Sequence, residues 1–179
     1  MFHENAETGR GSMMGLSYGE QLVVWGIRKI VGGKGSDPDL LTEFQAAFGS
    51  EGEEGLRIFC SFFRLLGQAA RKPYEIAPPG SLQVLPDERR MLTLIAAAQR
   101  SVTSGDPALL QAHLLWLAAA DHRPALARIA QAFASLLQLH GHPITVACDA
   151  PAPESNRDQA KDSGWFDAVA SKPRLAWGR

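Results

Sequence analysis

Between Pro86 and Val102 the chain sets Met91, Leu94, Ile95, Ala98 and Val102 at helical spacing, giving one apolar stripe. Leu92, Ala96 and Ala97 extend that stripe onto a second flank, so a helix here must be covered from more than one side. Its alanines let neighbouring helices approach closely. A helix of this kind sits at the centre of an α-helical core, and the rest of the chain is read around it.

The flanking sequence supplies helices to cover it. Ser17-Tyr18-Gly19-Glu20 is a capping box, followed by Leu22, Val23, Trp25, Ile27, Ile30 and Val31, with Gly32-Gly33 as the stop. Arg28 and Lys29 fall in the last turn, where cations suit the helix dipole. Asp37-Pro38 opens a second helix carrying Leu40, Leu41, Phe44, Ala47 and Phe48, ended by Gly49. A third starts near Glu53 and Glu54 and carries Leu56, Phe59, Cys60, Phe63, Leu66 and Ala70. Ser104-Gly105 ends the central helix. Asp106-Pro107 opens the next, with Leu109, Leu110, His113, Leu114, Trp116 and Leu117. After a break at Asp121 to Pro124, the last helix carries Leu126, Ile129, Ala130, Phe133, Leu137 and His140 and is closed by Gly141.

Tyr74-Glu75-Ile76 and Leu82-Gln83-Val84 alternate apolar and polar residues around Pro78-Pro79-Gly80-Ser81. They read either as a short hairpin or as an ordered loop lying over the helices. The expected architecture is all-α: a six-helix domain over residues 17–146, with or without that hairpin between the third and fourth helices. A disordered extension is expected over residues 1–16 and a flexible tail over residues 147–179.

A chain of 179 residues that is 45% hydrophobic can bury a core without disulfides or metal. Its formal net charge of −1 argues against bulk phosphate neutralisation, so no nucleic-acid partner is favoured. The pair of helices around Asp121 could form a helix-turn-helix presenting Arg123, Arg128 and Gln131, but the second helix is poor in Arg and Lys. The two cysteines, Cys60 and Cys148, are read as reduced thiols. With no apolar run long enough to span a bilayer and no signal-peptide pattern, neither a membrane nor an export route is expected, and the protein is placed in the cytoplasm.

Motifs that carry chemistry are sparse. His140-Gly141-His142, followed by Cys148 and Asp149, offers metal-ligand types, but the spacing matches no structural zinc pattern and His140 belongs to an apolar face. No metal and no cofactor are therefore expected. Gly32-Gly33-Lys34-Gly35 follows a helix where a phosphate loop would follow a strand. Asp87 and Glu88 are adjacent acids of a first helical turn, a placement the dipole explains. In the tail, Trp165, Phe166 and Val169 form a compact apolar group that a short helix over residues 163–170 would bring together. They are the candidate partner-binding residues, as aromatic anchors of a segment that folds on a protein partner or docks on its own domain.

Gly26-Ile27-Arg28-Lys29 with Gly32-Gly33, Phe48-Gly49, Ile76-Ala77-Pro78, Pro86 with Glu88, and Gly141-His142-Pro143-Ile144 come in order over residues 22–144. With these landmarks the chain resembles an uncharacterised family of small helical bacterial proteins, a domain of unknown function. The resemblance implies a helical fold and carries no activity. Where such proteins have cysteines after the Ala-Pro, this chain has Pro79-Gly80-Ser81.

Two functional classes follow. The first is a non-catalytic helical interaction or regulatory module. The second is an enzyme or ligand-binding bundle with a site between helices near His113 and Tyr74. Buried polar groups converging on an apolar pocket would mark the second.

Overall fold

The computed structural model describes residues 11–146. Trp165, Phe166, Val169 and Cys148 lie outside the described residues, as do both expected tails apart from residues 11–16. The described chain is all-α, with no strand among the described residues.

Helix α1 (Tyr18–Val31) starts as its capping box dictates: the Glu20 amide donates to Ser17 Oγ at 3.3 Å and the Ser17 amide donates to the Glu20 carboxylate at 2.8 Å. Helix α2 (Pro38–Phe48) begins at Asp37, whose carboxylate accepts the Asp39 amide and, at 2.7 Å, Lys29 Nζ from the end of α1. A 3-10 turn at Gly49–Glu51, entered through the positive φ of Gly49, leads into α3 (Gly52–Ala69). Gly52 lets the two helices meet backbone to backbone. A Cβ there would lie 2.5 Å from Gln45 Cα.

Helix α4 (Pro86–Ser104) is followed by α5 (Ala108–Leu117) and α6 (Arg123–Leu139). Helix α4 packs on α1, α5 and α6, and α6 also packs on α3. Met91, Leu92, Leu94, Ile95 and Ala98 are buried, as the central stripe requires. Val102, the last member of that stripe, is exposed beside the helix end. A second focus is aromatic. Phe44, Phe48, Phe59, Phe63 and Phe133 join α2, α3 and α6 through ring contacts, with centroids 4.7 to 6.4 Å apart. Gly26 lets α1 reach this cluster, since a Cβ there would stand 2.7 Å from the Phe59 ring.

The hairpin does not form. Tyr74–Ile76 and Leu82–Val84 run as irregular chain, and the backbone groups around them bond to side chains and to residues 11–13 instead of to each other. Arg28 takes the Ser81 and Gln83 carbonyls, Asp87 the Glu75 amide, and Glu88 the Ala77 and Leu85 amides. Gln83 instead forms an isolated antiparallel bridge with Ser12. Residues 11–16, assigned by sequence to the N-terminal extension, lie along this loop. The Met13 amide donates to the Leu82 carbonyl and the Val84 amide donates to the Gly11 carbonyl, each at 2.7 Å.

Candidate functional site

The polar centre of the domain is the Arg28–Glu88 pair. Arg28 sits one helical repeat after Val24 and next to Ile27, on the face of α1 that is buried. Glu88 is the third residue of α4, the position from which a carboxylate reaches back to the residue before the helix, and it accepts the Leu85 amide at 2.8 Å. The two side chains are 2% and 0% exposed and meet as a two-pronged pair, Nε to Oε1 at 2.6 Å and Nη2 to Oε2 at 2.8 Å. The guanidinium also donates to the Ser81 and Gln83 carbonyls at 2.5 and 2.6 Å. A buried ion pair is tolerated when its remaining donors and acceptors are met, and here the backbone of the loop meets them.

A second polar cluster holds the C-terminal end of the domain. Glu20, besides capping α1, accepts the Thr145 amide at 2.6 Å, the Thr145 hydroxyl at 2.9 Å and the Val146 amide at 3.0 Å. Gln99 accepts the Ile144 amide at 2.9 Å and donates to the His142 carbonyl at 3.3 Å. Gly19 makes room, since a Cβ there would lie 2.9 Å from His142 Cβ. Burial pushes the Glu20 carboxyl upward, but the hydrogen bonds from Ser17 and Thr145 outweigh it and hold the group below the ordinary value of 4.5. A carboxylate with a depressed folded-state pKa adds stability that is complete above its unfolded value. That stability is lost as pH falls through the folded value. Glu20→Gln should therefore lower the urea midpoint at pH 7 and flatten its decline between pH 5 and 3. An unchanged acid slope in the variant would show that another carboxylate controls it.

The candidate ligands are not brought together. His140 Nε2 lies 2.6 Å from Glu51 Oε2, whereas His142 Nε2 lies 2.9 Å from the Ala47 carbonyl oxygen. Among the described residues no three of His, Cys, Asp and Glu are grouped to hold a metal ion. Tyr74 and His113 are both buried, and the Tyr74 hydroxyl donates to the Leu117 carbonyl at 2.9 Å. Burial, and then the charge of Asp87, push the Tyr74 phenol well above its ordinary value, so it stays protonated. Cys60 is half-buried and free, and burial raises its thiol, which suits a packing role. Gln131 Nε2 donates to Ser101 Oγ at 3.0 Å and Arg123 Nε to the Ala118 carbonyl at 3.0 Å, so both turn inward, while Arg128 is exposed.

An open cleft of about 640 Å³ lies between the second half of α4, the end of α6 and residues 143–146. Ala96 and Ile144 contribute apolar walls, and Gln99, Arg100 and Asp106 contribute polar ones. Val146, where the chain departs towards the tail, also lines it. Neither His113 nor Tyr74 does.

The fold and these clusters define an all-α domain with a buried ionic loop clamp and a clasped C-terminal end. No family model, no curated protein and no solved structure matches the chain. The landmarks behind the family resemblance have local physical explanations instead. Gly26 and Gly49 serve a close helix approach and a positive φ, Arg28 and Glu88 form the clamp, and Gly141 (φ +74) turns the chain from α6 towards the clasp. No helix among the described residues is long and apolar enough to cross a membrane.

Proposed function

We propose that the protein is a non-catalytic helical interaction or regulatory module, with Trp165, Phe166 and Val169 as its partner-binding residues. One observation carries this reading. The buried charges Arg28, Glu20, Asp87 and Glu88 direct their hydrogen bonds to backbone groups of their own domain, to one another and to neighbouring side chains. A reaction centre aims such groups at a cavity, where charge develops on substrate. In this chain they serve shape. A protein partner fits aromatic anchors that bury much area with few rotatable bonds.

The test is recovery of partners from an extract by the immobilised full chain, by the chain ended after Val146, and by the Trp165→Ala/Phe166→Ala variant. Truncation should leave the helical signal and thermal midpoint nearly unchanged. Truncation and the double variant should each remove the same specific partners. Partner recovery that survives the double variant would refute the proposal.

A second reading, a small-ligand site, draws on the cleft beside Arg100 and Asp106, whose volume falls in the range of ligand pockets. Ligand-dependent stabilisation abolished by Arg100→Ala/Asp106→Ala would favour it.

A further inference from the structure

Helix α5 differs from its neighbours. It contains no Asp, Glu, Lys or Arg, yet it is not enclosed. Ala108, Gln111 and Leu115 form an exposed stripe along it, Leu115 being 53% exposed, and Ala112 and Trp116 border that stripe. Solvated helix faces normally carry charge, so this one has the composition of a covered surface. Cations gather at one end of it. Lys72 Nζ and the Arg90 guanidinium lie 4.9 and 4.1 Å from the centroid of the Trp116 ring, and Arg71 donates to the Leu115 carbonyl at 3.2 Å. Asp87 bonds Arg90 at 2.7 Å and accepts the Glu75 amide. The surface is thus apolar along the helix and basic around its aromatic end.

The chain contains a segment of the opposite kind. Asp162-Ser163-Gly164-Trp165-Phe166-Asp167-Ala168-Val169 sets carboxylates on both sides of two aromatics and carries no cation. The connection is long enough. From Val146 to Asp162 the chain reaches about 50 Å when extended, against a domain radius of gyration of about 14 Å. A tethered segment meets its own domain at about millimolar effective concentration, so a weak surface contact suffices.

We infer that the outer face of α5, with Trp116, Lys72 and Arg71 at its basic end, docks this chain's own Asp162–Val169 segment. This rests on the reading that Trp165, Phe166 and Val169 bind a partner, and it adds regulation: the docked segment is withheld until a partner competes for it. Aromatic rings cover Leu115 and its small neighbours, while Asp162 and Asp167 meet the lysine and arginines. Opposite charges around an apolar anchor set register and orientation as well as attraction.

The test uses the full chain with a benzophenone-bearing phenylalanine in place of Phe166. On irradiation at low protein concentration, the expected product is a crosslink within one chain, to residues of α5 or to Lys72. Arg71→Glu/Lys72→Glu, both at exposed positions, should cut its yield about fivefold or more. Adding Asp162→Lys/Asp167→Lys to that variant should restore it. Crosslinks to a second copy, to the cleft beside Arg100, or to no part of the domain would each overturn the inference, as would failure of the charge swap to restore yield. Failure here while partner recovery still depends on Trp165 and Phe166 would remove the docking alone. Loss of that dependence would remove the functional reading itself.

Discussion

Glu88→Ala is expected to destabilise the domain by about 3–5 kcal/mol, the cost of leaving a buried charge without its partner. Arg28 is 2% exposed, and Glu88 supplies both of its charge-assisted contacts. The substitution also strips the Ala77 and Leu85 amides of their acceptor. Chemical denaturation measures the loss, and limited proteolysis should show new cleavage between Pro78 and Val84. A second expectation separates this pair from a purely electrostatic one. Many buried ion pairs can be exchanged for hydrophobic residues without loss. Here Arg28→Leu/Glu88→Leu should remain destabilised, because the Ala77 and Leu85 amides would lose their acceptor at about 1–3 kcal/mol each and the loop carbonyls of Ser81 and Gln83 would lose the guanidinium that ties them to α1. A double variant as stable as the wild type would show that the pair does not hold the loop.

Leu94→Ala should cost about 2–5 kcal/mol through lost transfer energy and a residual cavity. Leu94 is fully buried on the helix that α1, α5 and α6 all cover, so no single neighbour can move into the space without leaving another. The thermal midpoint should fall by roughly 10 °C. An unchanged midpoint would show that α4 is not the structural centre. The Phe44–Phe59–Phe133 cluster would then be the alternative.

Leu94 and Ile95 were legible because the physics behind them is local: helical periodicity marks a buried face without reference to the rest of the chain. The same holds for Ser17 with Glu20, and for Asp37, whose capping bonds span only a few residues. The clamp was not legible in that way. Arg28 and Glu88 each have a sufficient local explanation as charges at helix ends. Their pairing joins residues separated by 60 positions, which no periodicity encodes. A partial signal existed, since Arg28 follows Val24 at helical spacing and so shares its buried face. The hairpin expectation failed for the converse reason. Alternation over three residues arises whenever an extended chain lies on a packed surface. Tyr74 and Ala77 point inward from such a chain while its backbone bonds to side chains. Trp165, Phe166 and Val169 stand out by apolar clustering at helical spacing, and only the α5 surface proposed to meet them gives them a structural context.

The Glu20 clasp has a consequence for the order in which the protein is made. The carboxylate that opens the first helix takes the amides of Thr145 and Val146, 125 and 126 residues later. During synthesis, which proceeds at about 5–20 residues per second, α1, α2 and α3 emerge well before that partner exists. Until then the entrance of α1 is closed locally, by the reciprocal bonds of Ser17 and Glu20. A chain interrupted before Thr145 leaves Glu20 without the Thr145 and Val146 donors, so the contact between the start of α1 and the end of the domain is the last one that synthesis supplies, after the Arg28–Glu88 pair that ties α1 to α4.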